Sequence, residues 1–148
     1  MQEDDTVALT KNRNTPYRHN TSRNHALAAG AVVFAGGIVA MAASGFVAAG
    51  TTATGLVAVG VATHYQDNTT GDAGDQHVDV KLGCFAFDNS LDADEITAAD
   101  VGKPCYLVDD HTVAKTDGEA ARSLAGIIDG VDDFGVWVVI DPTSGVYL

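Results

Sequence analysis

Residues 26–63 read ALAAGAVVFAGGIVAMAASGFVAAGTTATGLVAVGVAT and contain no charged side chain and no His, Asn or Gln. A hydropathy window would assign this stretch to a transmembrane helix. Glycines interrupt it repeatedly, at Gly30, Gly36, Gly37, Gly45, Gly50, Gly55 and Gly60. The interpretation of this segment therefore decides between a membrane protein and a compact β-domain.

The glycines fall where a series of short strands needs turns. The predicted strands are residues 31–34, 38–42, 46–48 and 56–63. In the last of them Val57, Val59 and Val61 occupy alternate positions, with small residues between them. Large β-branched residues on one face and small residues on the other predict a strand that is buried on both faces.

The rest of the chain continues this pattern. Hydrophobic alternation and turn residues predict further strands at residues 77–87, 106–108, 113–114, 123–129 and 136–140. One short helix is predicted from Thr97 to Val101, because Thr97 can cap its start and Gly102 and Pro104 can end it. The predicted fold is all-β, a small barrel or sandwich of short strands with one short helix and an extended N-terminal arm.

Charge divides the chain into two parts. Residues 1–25 show no periodicity and carry four cations against three acids, a net charge of +1. They are predicted to form an extended arm, with a loose terminus as the equal alternative. Residues 26–148, the predicted β-rich domain, carry four cations against seventeen acids, a net charge of −13. Such an acidic body repels phosphates, so nucleic acid is not expected as a partner.

A single-pass membrane protein anchored by residues 26–49 is the alternative interpretation. Arg18 and Arg23 precede the apolar run and no Lys or Arg follows before Lys81, which is a positive-inside pattern. Against it, the run is about twice the roughly 20 residues that span a bilayer. It also lacks the aromatic residues that mark membrane interfaces. The sequence therefore favours the β-domain, for which no membrane partner is expected.

Enzyme motifs are absent from the sequence, so no enzymatic activity and no cofactor are expected. Residues 50–55 have the spacing of a phosphate loop but lack the lysine that follows one. Three groups could supply metal ligands: His64 with Asp67, His77 with Asp79, and Asp109–Asp110–His111. A metal-binding or catalytic module built on these histidines is the minor alternative. None has an established ligand spacing, and solvated turn residues are the favoured interpretation.

An acidic loop and two cysteines complete the candidates. Asp88, Asp92, Asp94 and Glu95 are interpreted as a solvated loop, since the glycine of a calcium loop is missing. Cys84 and Cys105 lack the spacing of zinc ligands, and two buried free thiols are favoured over a disulfide.

Three segments carry a resemblance to a known family: residues 54–60 (TGLVAVG), 99–114 (ADVGKPCYLVDDHTVA) and 123–140 (SLAGIIDGVDDFGVWVVI). They resemble small structural proteins encoded beside the major capsid gene in tailed bacteriophages, including Mu-like phages. These are capsid decoration, or cement, proteins. The resemblance implies a β-rich homotrimer on the exterior of the phage head, bound to the major capsid protein at capsomer junctions. It also implies that the protein is in the host cytoplasm before assembly.

Residues of the arm are the expected contacts with the shell or with a neighbouring subunit. They are Arg13, Tyr17, Arg18 and Arg23. The small residues Ala58, Gly60 and Ala62 are expected either to allow close packing of subunits or to fill the core of one subunit.

Overall fold

The computed structural model describes residues 8–16 and 21–141 and confirms the all-β class. The strands form three antiparallel sheets, and within the described residues no sheet closes into a barrel, which is consistent with a sandwich. The strands are β1 (Ser22–Ala26), β2 (Val32–Val33), β3 (Ile38–Met41), β4 (Val47–Ala49), β5 (Val57–Ala62), β6 (Gln66–Asp67), β7 (His77–Lys81), β8 (Gly83–Phe87), β9 (Pro104–Leu107), β10 (Val113–Ala114), β11 (Leu124–Asp132) and β12 (Gly135–Ile140).

Two five-stranded sheets make up most of the molecule. The first sheet has the order β1-β7-β5-β3-β4 and the second the order β10-β9-β11-β12-β8. The short ribbon β2-β6 forms the third sheet. Leu82 separates β7 from β8, so the chain passes from the first sheet to the second with a single residue between the two strands.

Strands β3 and β5 of the first sheet are apolar on both faces. One face carries Ile38 and Val61 into a core shared with Val138 and other residues of the second sheet. The opposite face carries Val39 and Val80 into a second core, which Leu27, Ala31 and Val33 cover. Strands that bury both faces cannot place charged side chains on either of them. This arrangement is the physical reason why β3 and β5, within residues 26–63, are uncharged.

A β-bulge in β5 changes which side chains reach each core. The register against β3 shifts so that Val59 is an extra residue between Ala58 and Gly60. Val59 therefore packs in the second core, whereas Ala58 and Val61 pack in the first. The predicted common face of Val57, Val59 and Val61 is wrong, because the extra residue inverts the alternation. Val57 lies outside both cores and is 48% exposed.

The predicted short helix is present as a single 3-10 turn, Ala98–Asp100. The backbone N–H of Thr97 donates to Oδ2 of Asp100 at 2.8 Å, which closes the turn at its start. A second 3-10 turn, Asp92–Asp94, was not predicted. The turn Ala98–Asp100 does not continue into an α-helix, because Pro104 starts a strand only a few residues further on.

The anchor helix that the membrane alternative requires is not formed. Residues 26–49 contain β2, β3 and β4 with the turns between them. In the part of the chain that the structure describes, no helix is long and apolar enough to cross a membrane.

Candidate functional site

Strand β1 determines how the predicted arm joins the body. It pairs with β7 in antiparallel register from Ser22 opposite Lys81 to Ala26 opposite His77. The boundary predicted between residues 25 and 26 therefore falls within a strand. The side chains of β1 are mostly polar, so the sequence gave no hydrophobic signal for this strand. The strand pairs there because β7 offers the buried residues Val78 and Val80, and because β1 ends on the apolar Ala26. Thr21 also belongs to this pairing, since its carbonyl accepts from Leu82 N–H at 2.9 Å.

The described part of the arm before β1 is residues 8–16. Each of these residues is exposed and none belongs to a helix or strand. Arg13 lies in this segment and donates from Nη1 to Oγ1 of Thr15 at 2.7 Å. Tyr17 and Arg18, two other predicted contact residues, lie outside the described residues. Arg13 thus lies on an exposed stretch of chain outside any helix or strand.

Arg23, the remaining predicted contact, lies on β1 and lines a groove. Its Nη1 donates to the carbonyl of Ser22 at 2.7 Å. The groove has a volume of about 590 Å³ and is lined by Ser22, Arg23, Asn24, Thr63, Asp79, Val80 and Lys81. Two cations and one carboxylate surround it, so it is more basic than the acidic body of which it is part.

A row of hydrogen-bonded polar side chains lies across β1 and β7. His77 Nδ1 is 2.8 Å from Asn24 Oδ1, and Asn24 Nδ2 donates to Asp79 Oδ1 at 2.9 Å. The backbone N–H of Asp79 donates to Nε2 of His64 at 3.2 Å, and His64 Nδ1 is 3.1 Å from the Tyr65 carbonyl. Both His64 contacts are satisfied when its proton is on Nδ1. These side chains hold β1 on the sheet.

The metal pairs predicted at His64 with Asp67 and at His77 with Asp79 are not formed as pairs. His64 contacts Asp79, and Asp67 instead accepts from the hydroxyl of Tyr65 at 3.0 Å. The pKa of Asp67 is lowered mainly by its hydrogen bond with the backbone N–H of Thr69. The side chain of Thr69 and the Tyr65 hydroxyl lower it further. His77 is bonded to Asn24 rather than to Asp79.

The predicted triplet Asp109–Asp110–His111 is brought together, with ligand atoms within 4.8 Å of one another. His111 Nδ1 is 2.8 Å from Asp88 Oδ2, and its Nε2 is 3.5 Å from Asp109 Oδ1. The hydrogen bond with Asp88 and the charge of Asp109 raise the pKa of His111. When it is protonated, His111 places a positive charge among these carboxylates.

One carboxylate of the predicted acidic loop, that of Asp94, makes contacts that stabilise the fold. Asp94 accepts from Oγ1 of Thr116 at 2.5 Å and from Nη1 of Arg122 at 3.3 Å. The hydroxyl of Thr116 is the main cause that lowers the pKa of Asp94. Asn89 closes the loop, since its side chain bonds both the N–H and the carbonyl of Ile96 at 2.9 Å.

Both cysteines are free thiols, as predicted, but their environments differ. Cys105 is fully buried, and burial raises its pKa to about 12. Cys84 is exposed on β8, which corrects the prediction that it is buried. Burial of part of the side chain and then the carboxylate of Asp129 raise the pKa of Cys84.

Two exposed aromatic pairs were not predicted. The rings of Phe34 and Tyr65 lie 5.1 Å apart, and those of Phe134 and Trp137 lie 6.1 Å apart. Phe134 is 78% exposed at the turn between β11 and β12. Phe134 could have been found from the sequence, because it lies between Asp133 and Gly135 in a predicted turn and turn positions are ordinarily polar.

A scan against protein-family models, a search of curated proteins and a search of solved structures each gave no match.

Proposed function

We propose that this chain is a structural virion protein that decorates the exterior of a tailed-bacteriophage head. It is in the host cytoplasm before assembly, and it binds the major capsid protein at capsomer junctions as a homotrimer. The proposal rests on the resemblance of residues 54–60, 99–114 and 123–140 to capsid decoration proteins. The role is one of binding and requires neither catalysis nor a cofactor.

The structural observation that supports it best is an exposed arm followed by a strand that is fixed to the body. Residues 8–16 are exposed throughout, and β1 is paired along its whole length with β7. An extended segment can lie across a neighbouring protein and bury a large area for its length, at the cost of its ordering entropy. Arg13 on the arm and Arg23 at the groove supply cations for such a contact.

Stabilisation of a shell follows from mass action. A ligand that binds the assembled head and not its separated subunits shifts the equilibrium towards the assembled head. The buried cores of this chain give such a ligand a body that does not need to refold on binding. Contact residues on the arm and beside β1 would then carry the interaction with the shell.

The test is to co-express the chain with the major capsid protein encoded in the same genome and to image purified heads by electron microscopy. Density on the outer surface at capsomer junctions, absent when the chain is omitted, is the expected result. Purified heads that carry none of the full-length chain would overturn the proposal.

The role of the arm needs a truncation that spares the sheet. Removal of residues 1–16 leaves Thr21 and β1 intact, whereas removal of residues 1–25 would delete most of an edge strand. The truncated chain is expected to fold and to occupy heads less completely. Arg13→Ala is expected to weaken attachment, while Lys103→Ala, which removes an exposed cation of the body, is the matched control. Equal occupancy of heads by the full-length and truncated chains would exclude the arm as a contact.

A further inference from the structure

The second sheet turns one face away from both hydrophobic cores. Side chains alternate along a strand, and every second residue of β12, beginning with Val136, points into the first core. The residues between them lie on the opposite face, together with their cross-strand partners on β8 and β11. The side chains of this outer face are Cys84, Ala86, Ile127, Trp137 and Val139. They carry no charge, and none of them belongs to either core of the described residues.

Two carboxylates lie beside these uncharged residues. Asp132 accepts from Nε1 of Trp137 at 2.8 Å. Partial burial and then the nearby carboxylate of Asp129 raise the pKa of the Cys84 thiol, so Asp129 also lies at the outer face. Both aspartates are exposed, and within residues 8–16 and 21–141 neither forms an ion pair. The outer face therefore offers apolar surface with two carboxylates that lack a cationic partner in the described chain.

Residues 8–16 of the arm have the complementary composition. They read ALTKNRNTP, with two cations and no acid, before a body whose net charge is −13. All nine residues are exposed, and Leu9 is 72% exposed. Among the described residues, neither Lys11 nor Arg13 forms an ion pair. The arm thus carries two cations and an apolar side chain that its own body does not use.

These three side chains lie on one side of the arm when it is extended. Residues two apart in an extended segment point the same way, so Leu9, Lys11 and Arg13 form a row. The hydrogen bond from Arg13 to Thr15, also two residues apart, fits this geometry. The row presents an apolar side chain and then two cations.

Strand β11 presents matching chemistry in the same order. Apolar Ile127 is followed by Asp129, the extra residue of the bulge, and then by Asp132. Ile127 and Asp132 lie opposite Val139 and Gly135, which are four residues apart, as Leu9 and Arg13 are. Both rows are therefore about 13 Å long at 3.2–3.4 Å per residue.

We propose that the arm of one copy binds the outer face of a second copy of this chain. Residues 8–16 are the occupant, and the contacts pair Leu9 with Ile127, Lys11 with Asp129, and Arg13 with Asp132. The guanidinium of Arg13 then lies beside the ring of Trp137, which Asp132 holds by its hydrogen bond. A cation beside an aromatic ring adds a favourable contact to the ion pair.

The partner is a second copy because the arm leaves its own outer face empty. An arm bound to its own face would be partly buried, whereas residues 8–16 are exposed throughout. The chain from Leu9 to Thr21, where the body begins, can span at most about 40 Å. A compact domain of this length is roughly 40 Å across, so the arm can reach a neighbour. Each copy gives one arm and receives one, and such head-to-tail contacts can close into a ring. The ring size of three rests on the proposed homotrimer, whereas the contact itself needs no capsid.

The first experiment is a charge swap in the purified full-length chain. Sedimentation velocity of the parent is expected to give 3 × 15.2 = 45.6 kDa. Lys11→Glu and Asp129→Lys are each expected to lower the mass, and both changes in one chain to restore it, because the swapped charges attract again. Asp117→Lys, the same change at an exposed acidic residue elsewhere, is expected to leave the mass unchanged. A monomeric parent, equal masses for the parent and both single variants, or loss without recovery in the double variant would overturn the proposal.

The second experiment asks which chain the arm touches. Leu9→Cys places a thiol above the outer face, where Cys84 is exposed. Treatment with a short bismaleimide is expected to give covalent oligomers on a denaturing gel. The parent and a chain with Leu9→Cys and Cys84→Ser are expected to stay at the mass of one subunit. A Leu9→Cys chain that stays at that mass would overturn the proposal, whether its two thiols are joined within one molecule or not joined at all.

The capsid shell is the competing occupant of the arm, and the two failures are distinguishable. Lys11→Glu that keeps the mass of the parent but no longer decorates heads would assign the arm to the shell and overturn arm exchange. Oligomers that show the charge swap and the cross-link but never bind heads would overturn decoration and leave arm exchange in place. Trp137, the one tryptophan of the chain, gives an independent readout, since its fluorescence is expected to differ between the parent and Lys11→Glu. Identical spectra for the two proteins would contradict binding at the outer face.

Discussion

Gly60 lies against the carbonyl oxygen of Lys81. A Cβ added at Gly60 would come within 2.7 Å of that oxygen and within 2.8 Å of Val80 Cγ2. The backbone of Gly60 also has a φ of +150°, which side chains rarely adopt. The bulge in β5 therefore depends on glycine both for its conformation and for the close approach of β7.

Gly60→Ala is expected to destabilise the protein by about 2–5 kcal/mol. The positive φ contributes about 1–2 kcal/mol and overpacking against β7 about 1–3 kcal/mol. Chemical denaturation followed by circular dichroism measures the loss. Gly45→Ala is the matched control, since Gly45 has a φ of +89° but no atom near an added Cβ. A control as destabilising as Gly60→Ala would show that strain, and not the contact with Lys81, is the cause.

Substitution of Asn68 is also expected to lower the free energy of unfolding. It is 2% exposed, and its Nδ2 donates to the Ala28 carbonyl at 2.9 Å and to the Asp72 carbonyl at 3.0 Å. Asn68→Ala would leave these carbonyls without that donor and is expected to cost about 1–3 kcal/mol. Asn12→Ala, at an exposed position, is expected to change stability by less than about 0.5 kcal/mol. Equal unfolding midpoints for the two variants would contradict the assignment.

Much of this fold could be predicted because apolar strands and glycine turns alternate clearly. Strands β2, β3 and β5 lie within the residues predicted for them. Strand β1 could not be found in this way, since Ser22–Ala26 is polar and owes its conformation to pairing with distant β7. The bulge at Val59 was equally hidden, because alternation along one strand does not record a shift in its partner's register.

The site was less accessible to sequence reasoning than the fold. Asp109–Asp110–His111 could be predicted as a cluster because the three residues are consecutive. The contact of His64 with Asp79 could not, since it depends on how β7 lies beside residues 63–65. The position of β8 at the end of the second sheet is likewise a property of the strand order, which the composition of residues 83–87 does not reveal.

The pKa of His111 is expected to lie above 6.5, because the hydrogen bond with Asp88 favours the protonated ring. A pKa raised on folding stabilises the protein fully below the unfolded pKa, and the contribution is lost as pH rises through the folded pKa. Nuclear magnetic resonance titration of the imidazole measures the value directly. Asp88→Asn is expected to lower it, while Asp117→Asn, at a separate acidic site, leaves it unchanged. A His111 pKa that is the same in Asp88→Asn would refute the assigned cause.

The two thiols are expected to react at very different rates. Cys84 is exposed and Cys105 is fully buried with a pKa of about 12, so an aromatic disulfide reagent should label one thiol in the folded protein and both after unfolding. Asp129→Asn is expected to accelerate labelling at pH 8, because removal of the carboxylate lowers the raised pKa of Cys84 and increases its thiolate fraction. Asp133→Asn serves as the control for a lost negative charge. Rapid labelling of folded Cys84→Ser would show that Cys105 is accessible, contrary to its place in the core.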